Sequence, residues 1–408
     1  MSTITQSKNN SFRKDPSKIF SAVILSYLIM TTIGMATTND ASRIFISVFR
    51  IFSIICILAS LFYILIAGLI KFQNLFLVLI TYSIFIIVGI LLSLFNVGYV
   101  EYFEIKSLNL LVILIGSIIF AIHANNSNDS YLINIFISYV YVVFIATILS
   151  GGFVLEIPPR FDLEFMSDIY REASYSLGLS QFYGFGAIFA SFASIKSNSK
   201  LGFLFYFFTF FLFGALSVLG GGRGDTIIAL GISSLFFLRT FPLQSIIIIA
   251  LALIYILFTD LWFILLDGFV FFQRLAELQD GLSDRGELLS QSLDLINERP
   301  HCLLLGCGFD YFQSFYGYDM GLYPHNVVAE YLITLGIFSS FFIFIAVLIG
   351  VFKEYKRNSK LTIYFLILLY TFLIALKSQS ILNSWMLTPL IIYYVSVSFD
   401  RTKLTERN

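Results

Sequence analysis

Residues 323–352 read YPHNVVAEYLITLGIFSSFFIFIAVLIGVF, and from Val327 onward a single charged side chain, Glu330, interrupts the apolar run. A helix rises about 1.5 Å per residue, so about 20 apolar residues cross the roughly 30 Å hydrocarbon layer of a membrane. Asn326 to Phe352 therefore reads as a membrane span. Its entry is polar by design of the residue types: Pro324 suits a helix start, Asn326 can cap it, and His325 is held at the mouth. Glu330 falls on the same helical face as Asn326 and about 7 Å deeper. A carboxylate at that depth costs roughly 2 to 3 kcal/mol if it faces lipid, so it is expected to face the bundle and to have a partner.

The rest of the chain repeats the apolar pattern. Of 408 residues 58% are hydrophobic and 12% charged, against about 25% charged in soluble domains. Twelve spans are expected: Ile19 to Thr38, Ile44 to Ile70, Leu75 to Phe95, Ser107 to Ile122, Tyr131 to Ser150, Leu177 to Ile195, Leu201 to Leu219, Arg223 to Thr240, Pro242 to Asp260, Asn326 to Phe352, Leu361 to Leu376 and Ile381 to Phe399. The expected fold is an all-α polytopic membrane protein, a single integral membrane domain over residues 1–408. The first span has no convincing small-residue cleavage site after it and does not read as a signal peptide. The sixth, SLGLSQFYGFGAIFASFAS, is rich in Gly, Ala and Ser, which favours close helix packing.

The formal charge is zero, which gives no footing for nucleic acid. Its distribution is informative, because basic residues in short loops stay in the cytoplasm. With the N-terminus inside, the inner segments hold 15 basic and 5 acidic residues, and the outer ones 9 basic and 19 acidic, Arg50 and Glu330 being counted as intramembrane. Both termini are expected in the cytoplasm. The long loops, 151–176 and 261–323, then lie outside. Cys302 and Cys307 share the larger one, where an oxidising compartment permits a disulfide, although four intervening residues make a tight ring. His301 beside Cys302 does not complete the three or four ligands that zinc requires.

Within the larger loop, SDRGELLSQSLDLINERP reads as a helix over about 284–298, with Asp284 as N-cap, Glu287 as its capping-box partner and Pro300 as its stop. Leu288, Leu289, Leu293 and Ile296 recur at helical spacing and define the face that packs. Arg285 stands at its first turn. The following glycines and aromatics, from Gly306 to Tyr323, suit either headgroup anchoring or stacking on sugars. Between the seventh and eighth spans, LGGGRGDTI (219–227) makes a glycine turn whose N–H groups and Arg223 both match phosphate oxygens. It lacks the GxxxxGK[ST] spacing of a P-loop. Arg223 alone reads equally well as an arginine snorkelling to the interface. His123 falls near an inner span end and His301 in mid-loop, which leaves His325 as the histidine placed to move a proton at the outer surface. Arg50 reads as snorkelling, and Lys377 marks a short outer turn.

In order, GGGRGDTIIAL, LSDRGELLSQSLDLINERPHCLLLGCGFDYF and YPHNVVAEYLITLGIFSS resemble the signature of the bacterial O-antigen polymerase and O-antigen ligase superfamily. The signals cover about a third of the chain, Leu219 to Ser340. The resemblance implies a GT-C-like membrane fold and metal-independent glycosyl transfer, without cofactor, at the periplasmic face of the inner membrane. The donor would be an undecaprenyl-diphosphate-linked oligosaccharide. By position, Arg223 and Arg285 would bind its diphosphate and His325 would activate the attacking hydroxyl. Asn326 and Glu330 would stand behind the histidine and complete the substrate site. A chain-length regulator protein is the implied partner, alongside membrane lipid. The sequence departs from the family in lacking the paired arginine-to-glycine motifs of some polymerases, and its outer face is acidic. A polymerase that extends lipid-linked repeats is the leading expectation. A ligase to lipid A core uses the same chemistry, and a lipid-linked oligosaccharide flippase is the alternative of another class. A flippase predicts charges at mid-membrane depth, whereas here they gather at the outer ends.

Overall fold

The computed structural model describes residues 72–97, 113–120, 129–149, 151–155, 159–162, 177–243, 284–318, 322–358, 361–381 and 386–399, with isolated positions at 24, 26, 51, 54, 55, 58, 59, 62, 246, 250 and 384. The first two expected spans, most of the ninth, most of both long loops before residue 284, Arg50 and His123 lie outside the described residues.

The described chain is mostly helical. Its elements are α1 (Phe72–Asn96), α2 (Asp129–Leu149), β1 (Phe153–Val154), β2 (Arg160–Phe161), α3 (Leu177–Lys196), α4 (Lys200–Leu219), α5 (Arg223–Thr240), α6 (Asp284–Glu298), α7 (Pro300–Leu305), α8 (Tyr311–Tyr316), α9 (Val327–Asn358), α10 (Ile363–Ser378) and α11 (Leu387–Phe399). Among the described residues, three helical segments are long and apolar enough to cross a membrane: Leu132–Leu149, Lys200–Leu219 and Val327–Asn358. Their outer faces leave large aromatics uncovered, with Phe208 71% and Phe338 69% exposed. Such surface is stable in lipid and not in water. The chain is a helical membrane protein.

α3 lies at the centre of one helix group. Every residue from Leu179 to Ser194 except Gln181 is buried, and α3 packs on α2, α4, α5 and α10. Its small residues allow this, as expected from the sequence: Gly186 faces the Phe213 ring and Gly184 faces Ala229 and Tyr370. Two short antiparallel strands, unforeseen in the all-α expectation, pair Phe153 with Phe161. They set the Phe161 ring in a stack on Tyr183, centroids 5.6 Å apart. A second group gathers around α9, which packs on α1, α6, α7, α10 and α11.

The ends of the helices sort by connectivity. The α3–α4 and α9–α10 turns, with Lys196, Lys200, Lys353, Lys356 and Arg357, stand at one end, and the starts of α5 and α9 stand at the other. At the basic end, buried Glu354 accepts hydrogen bonds from Tyr393 and Tyr394 (both 2.6 Å) and from Thr362 (2.9 Å). Three hydroxyl donors on one carboxylate tie α9, α10 and α11 together there.

Two expectations change in detail. Pro300 ends α6 and also opens α7 at its first turn, a position that needs no N–H. The buried stripe of α6 runs through Leu288, Ser292, Leu295 and Ile296, while Leu293 is 54% exposed. Positions i, i+4, i+7 and i+8 share a face, and Leu293 lies five residues from Leu288, well off it.

Candidate functional site

The start of α9 is built on Asn326. Its Oδ1 accepts from the N–H groups of Val328 (3.0 Å) and Ala329 (3.1 Å), which fills two of the donors that a helix start leaves open. Its Nδ2 donates to the Leu376 carbonyl near the end of α10 at 2.9 Å. One amide thus caps α9 and fastens it to α10. His325 precedes it with φ 51°, a left-handed backbone that costs a non-glycine residue roughly 1 to 2 kcal/mol. Its imidazole lies against the Tyr323 ring, centroids 4.0 Å apart. The turn aims the ring to the side of the helix start, half-buried.

Glu330 has the partner that its depth demanded. Its Oε1 accepts from Ser380 Oγ at 2.7 Å and its Oε2 from the Ile381 N–H at 3.0 Å. Both oxygens are used to brace the turn between α10 and α11. Glu330 therefore holds that turn, and Asn326 the last turn of α10 before it.

Arg223 opens α5. The expectation that glycine N–H groups of the preceding turn are presented to an anion does not hold. The Gly220 N–H bonds the Leu216 carbonyl (3.1 Å), that of Gly221 the Val218 carbonyl (2.9 Å), and that of Gly222 the Ser180 Oγ (2.7 Å). These three glycines are buried against the start of α3, where Ser217 also reaches the Ser180 carbonyl and Thr226. The turn is a packing device that fixes where Arg223 emerges.

Two residues given little weight in the sequence complete the arrangement. Asp225, two residues after Arg223, is buried and pairs with Lys377 Nζ at 2.9 Å. Lys377 follows Leu376, the residue whose carbonyl holds Asn326. The end of α10 is thus bonded to the start of α5 on one side and to the start of α9 on the other, which brings Arg223 and His325 to the same end of the bundle. Neither Asp225 nor Lys377 carries a local signal of the pairing, since 152 positions separate them. The only hint was that each is a charge at the edge of an apolar run.

Arg285 lies in the first turn of α6, and the placement of its side chain is outside the described residues. α6 packs on α9 through a cluster of Leu288, Leu295, Ile296, Phe312 and Ile333, so it stands near the same end. Tyr316 donates to the Gln291 carbonyl (2.8 Å) and Tyr318 to its Oε1 (2.9 Å). Burial pushes the Tyr316 phenol up, with the Glu298 and Asp294 carboxylates adding to it. Glu287 accepts from Gln291 Nε2 at 3.3 Å.

Cys302 and Cys307 are joined in a disulfide despite the short ring. His301, Cys302 and Cys307 place ligand atoms within 4.8 Å of one another, but bridged sulfurs are not thiolates and do not serve as metal ligands. The bridged loop instead enters a break in α9. Gly336, with φ 75° and ψ 170°, interrupts the helical ladder. The Ile333 and Thr334 carbonyls accept instead from Cys307 N–H (2.7 Å) and Gly308 N–H (3.1 Å). A Cβ at Gly336 would meet the Leu304 carbonyl oxygen at 2.5 Å and the Gly306 nitrogen at 2.6 Å, so no larger residue fits. Beyond the loop, Ser93 Oγ of α1 donates to the Phe309 carbonyl at 2.8 Å. Phe309 then forms one wall of an apolar groove between α1, α9 and α11, with Tyr331, Leu335, Ile381 and Ile392 among its other walls. Ile381 is the residue whose N–H reaches Glu330, so groove and polar end share a wall. No protein-family model and no curated protein matches the chain.

Proposed function

We propose that the protein is a metal-independent glycosyltransferase, an O-antigen polymerase that moves a growing undecaprenyl-diphosphate-linked glycan onto a new lipid-linked repeat unit. The observation that carries this reading is that the starts of α5 and α9, which carry Arg223 and His325, are both bonded to the end of α10 and so stand at one end of a bundle that also holds an apolar groove. An arginine and an imidazole at one end of an apolar bundle suit a substrate with a polyprenyl tail, a diphosphate and a sugar. In the reaction the bond between the sugar anomeric carbon and the diphosphate oxygen breaks, and the acceptor hydroxyl oxygen forms the new bond to that carbon. His325 takes the hydroxyl proton, and the departing lipid diphosphate gains negative charge that the fixed guanidinium of Arg223 offsets. Arg285 serves as a second guanidinium from α6. The site faces the periplasm, with both termini in the cytoplasm of a bacterium and the chain in its inner membrane.

Deletion in the native host followed by electrophoresis of the lipopolysaccharide tests the reading. Core carrying a single repeat unit is expected, bare core would assign a ligase or flippase, and unchanged long chains would exclude all three. His325→Ala and Arg223→Ala are each expected to remain in the membrane fraction and to abolish long chains. Normal chain lengths in both would refute the site.

A further inference from the structure

Lys377 has no part in the chemistry described so far, yet its ammonium lies over the helix start that carries Arg223. A Cβ built on Gly224 would fall 2.6 Å from Lys377 Nζ and 2.8 Å from its Cε. Gly224 is therefore the one residue type that lets the lysine cross between Arg223 and Asp225. The side chain of Asp225 is 4% exposed and that of Lys377 27%. An ion pair that served only as a strut has no use for an open end, and a buried pair contributes little net stability. Here the carboxylate is sealed while the lysine side chain keeps part of its surface open. An ammonium has three donors, of which Asp225 takes one. With Arg223 at the first position of α5, two cations and one buried carboxylate share the positive end of that helix.

We propose that Lys377 is a direct cationic contact for the diphosphate of the lipid-linked substrate, and that Asp225 is the positioning residue that holds the ammonium over the start of α5. The inference rests on the glycosyl-transfer reading of the same site. A guanidinium engages one phosphoryl group through two parallel bonds, and an ammonium serves the other as a point charge. The end of α10 would then contribute a ligand of its own as well as fixing the distance between Arg223 and His325.

The test uses the full chain in detergent micelles, with farnesyl diphosphate as probe and farnesol as control. In the Asp225→Asn background the ion pair is already lost, so any further effect of Lys377→Gln reports on the probe. D225N/K377Q is expected to bind farnesyl diphosphate about tenfold more weakly than D225N alone. Equal affinities would overturn the proposal. If the wild-type protein does not prefer farnesyl diphosphate to farnesol, the glycosyl-transfer reading itself fails. If it does, and Arg223→Gln loses that preference while D225N/K377Q matches D225N, only the role of Lys377 fails. Should D225N not fold, Lys377→Gln and Lys377→Arg are compared in the native background by the dependence of probe affinity on salt. Removing a cation that touches the probe flattens that dependence in the Gln variant and not in the Arg variant, and identical dependences would overturn the proposal.

Discussion

Asn326 does two things with one amide group, and they separate by substitution. Its oxygen caps α9 and its nitrogen reaches α10. Asn326→Ser keeps a capping oxygen and is expected to retain about 1 kcal/mol of stability that Asn326→Ala loses, measured by thermal unfolding in detergent. Both variants lose the reach to Leu376, so under the proposed function both should shorten the glycan chains to the same degree. Full chain length in Asn326→Ser would show that the α9–α10 link does not set the site. That Glu330 needs a partner was legible from its depth in an apolar run, because the cost of an unpaired carboxylate in lipid is known in advance. Which partner it has was not legible, because Ser380 and the Ile381 N–H are 50 and 51 residues away. The same holds for Asp225 and Lys377: the sequence shows two charges at span edges, and only the packing of α10 beside α5 makes them a pair.

α5 spans the residues that its apolar run indicates, and α6 runs from Asp284 to the stop before Pro300, since those signals are local. The break in α9 is a different kind of feature. Gly336 reads in sequence as one more small residue in a span, and its left-handed backbone is fixed by a loop from earlier in the chain, Cys307 and Gly308 supplying the N–H groups. A Gly336→Ala variant must move the Leu304–Gly306 backbone and is expected to lower the yield of folded protein sharply. Cys302→Ser/Cys307→Ser leaves the loop sequence able to reach the break but frees its ring. The chain-entropy cost of closing so short a ring is about 2 kcal/mol, so the double variant should unfold at a lower temperature. An unchanged unfolding temperature under non-reducing conditions would show that the loop is held by α1 and α9 alone.

Over the whole molecule the two ends of the bundle carry different chemistry. Lys196, Lys200, Lys353, Lys356 and Arg357 stand at one end, and His325, Arg223 and the Asp225–Lys377 pair at the other. Asn198 and Ser314 are exposed at the basic and the His325 ends respectively. With Cys56 replaced by serine, Ser314→Cys is expected to react with a membrane-impermeant maleimide in spheroplasts and Asn198→Cys only after lysis. The opposite pattern would invert the orientation and remove the periplasmic assignment. The charge asymmetry that predicts this was readable residue by residue, whereas the convergence of distant helix ends was not, since no local pattern encodes which spans become neighbours. The break at Gly336 also bears on biogenesis. Two unfilled carbonyls inside hydrocarbon are expensive, so α9 holds its break only while the amide donors of the loop are in place. Cys307 and Gly308 precede α9 in the chain and leave the ribosome first. The order of the sequence thus makes the donors available before the helix that they break, and a circular permutant that swaps that order would form α9 first as an unbroken helix.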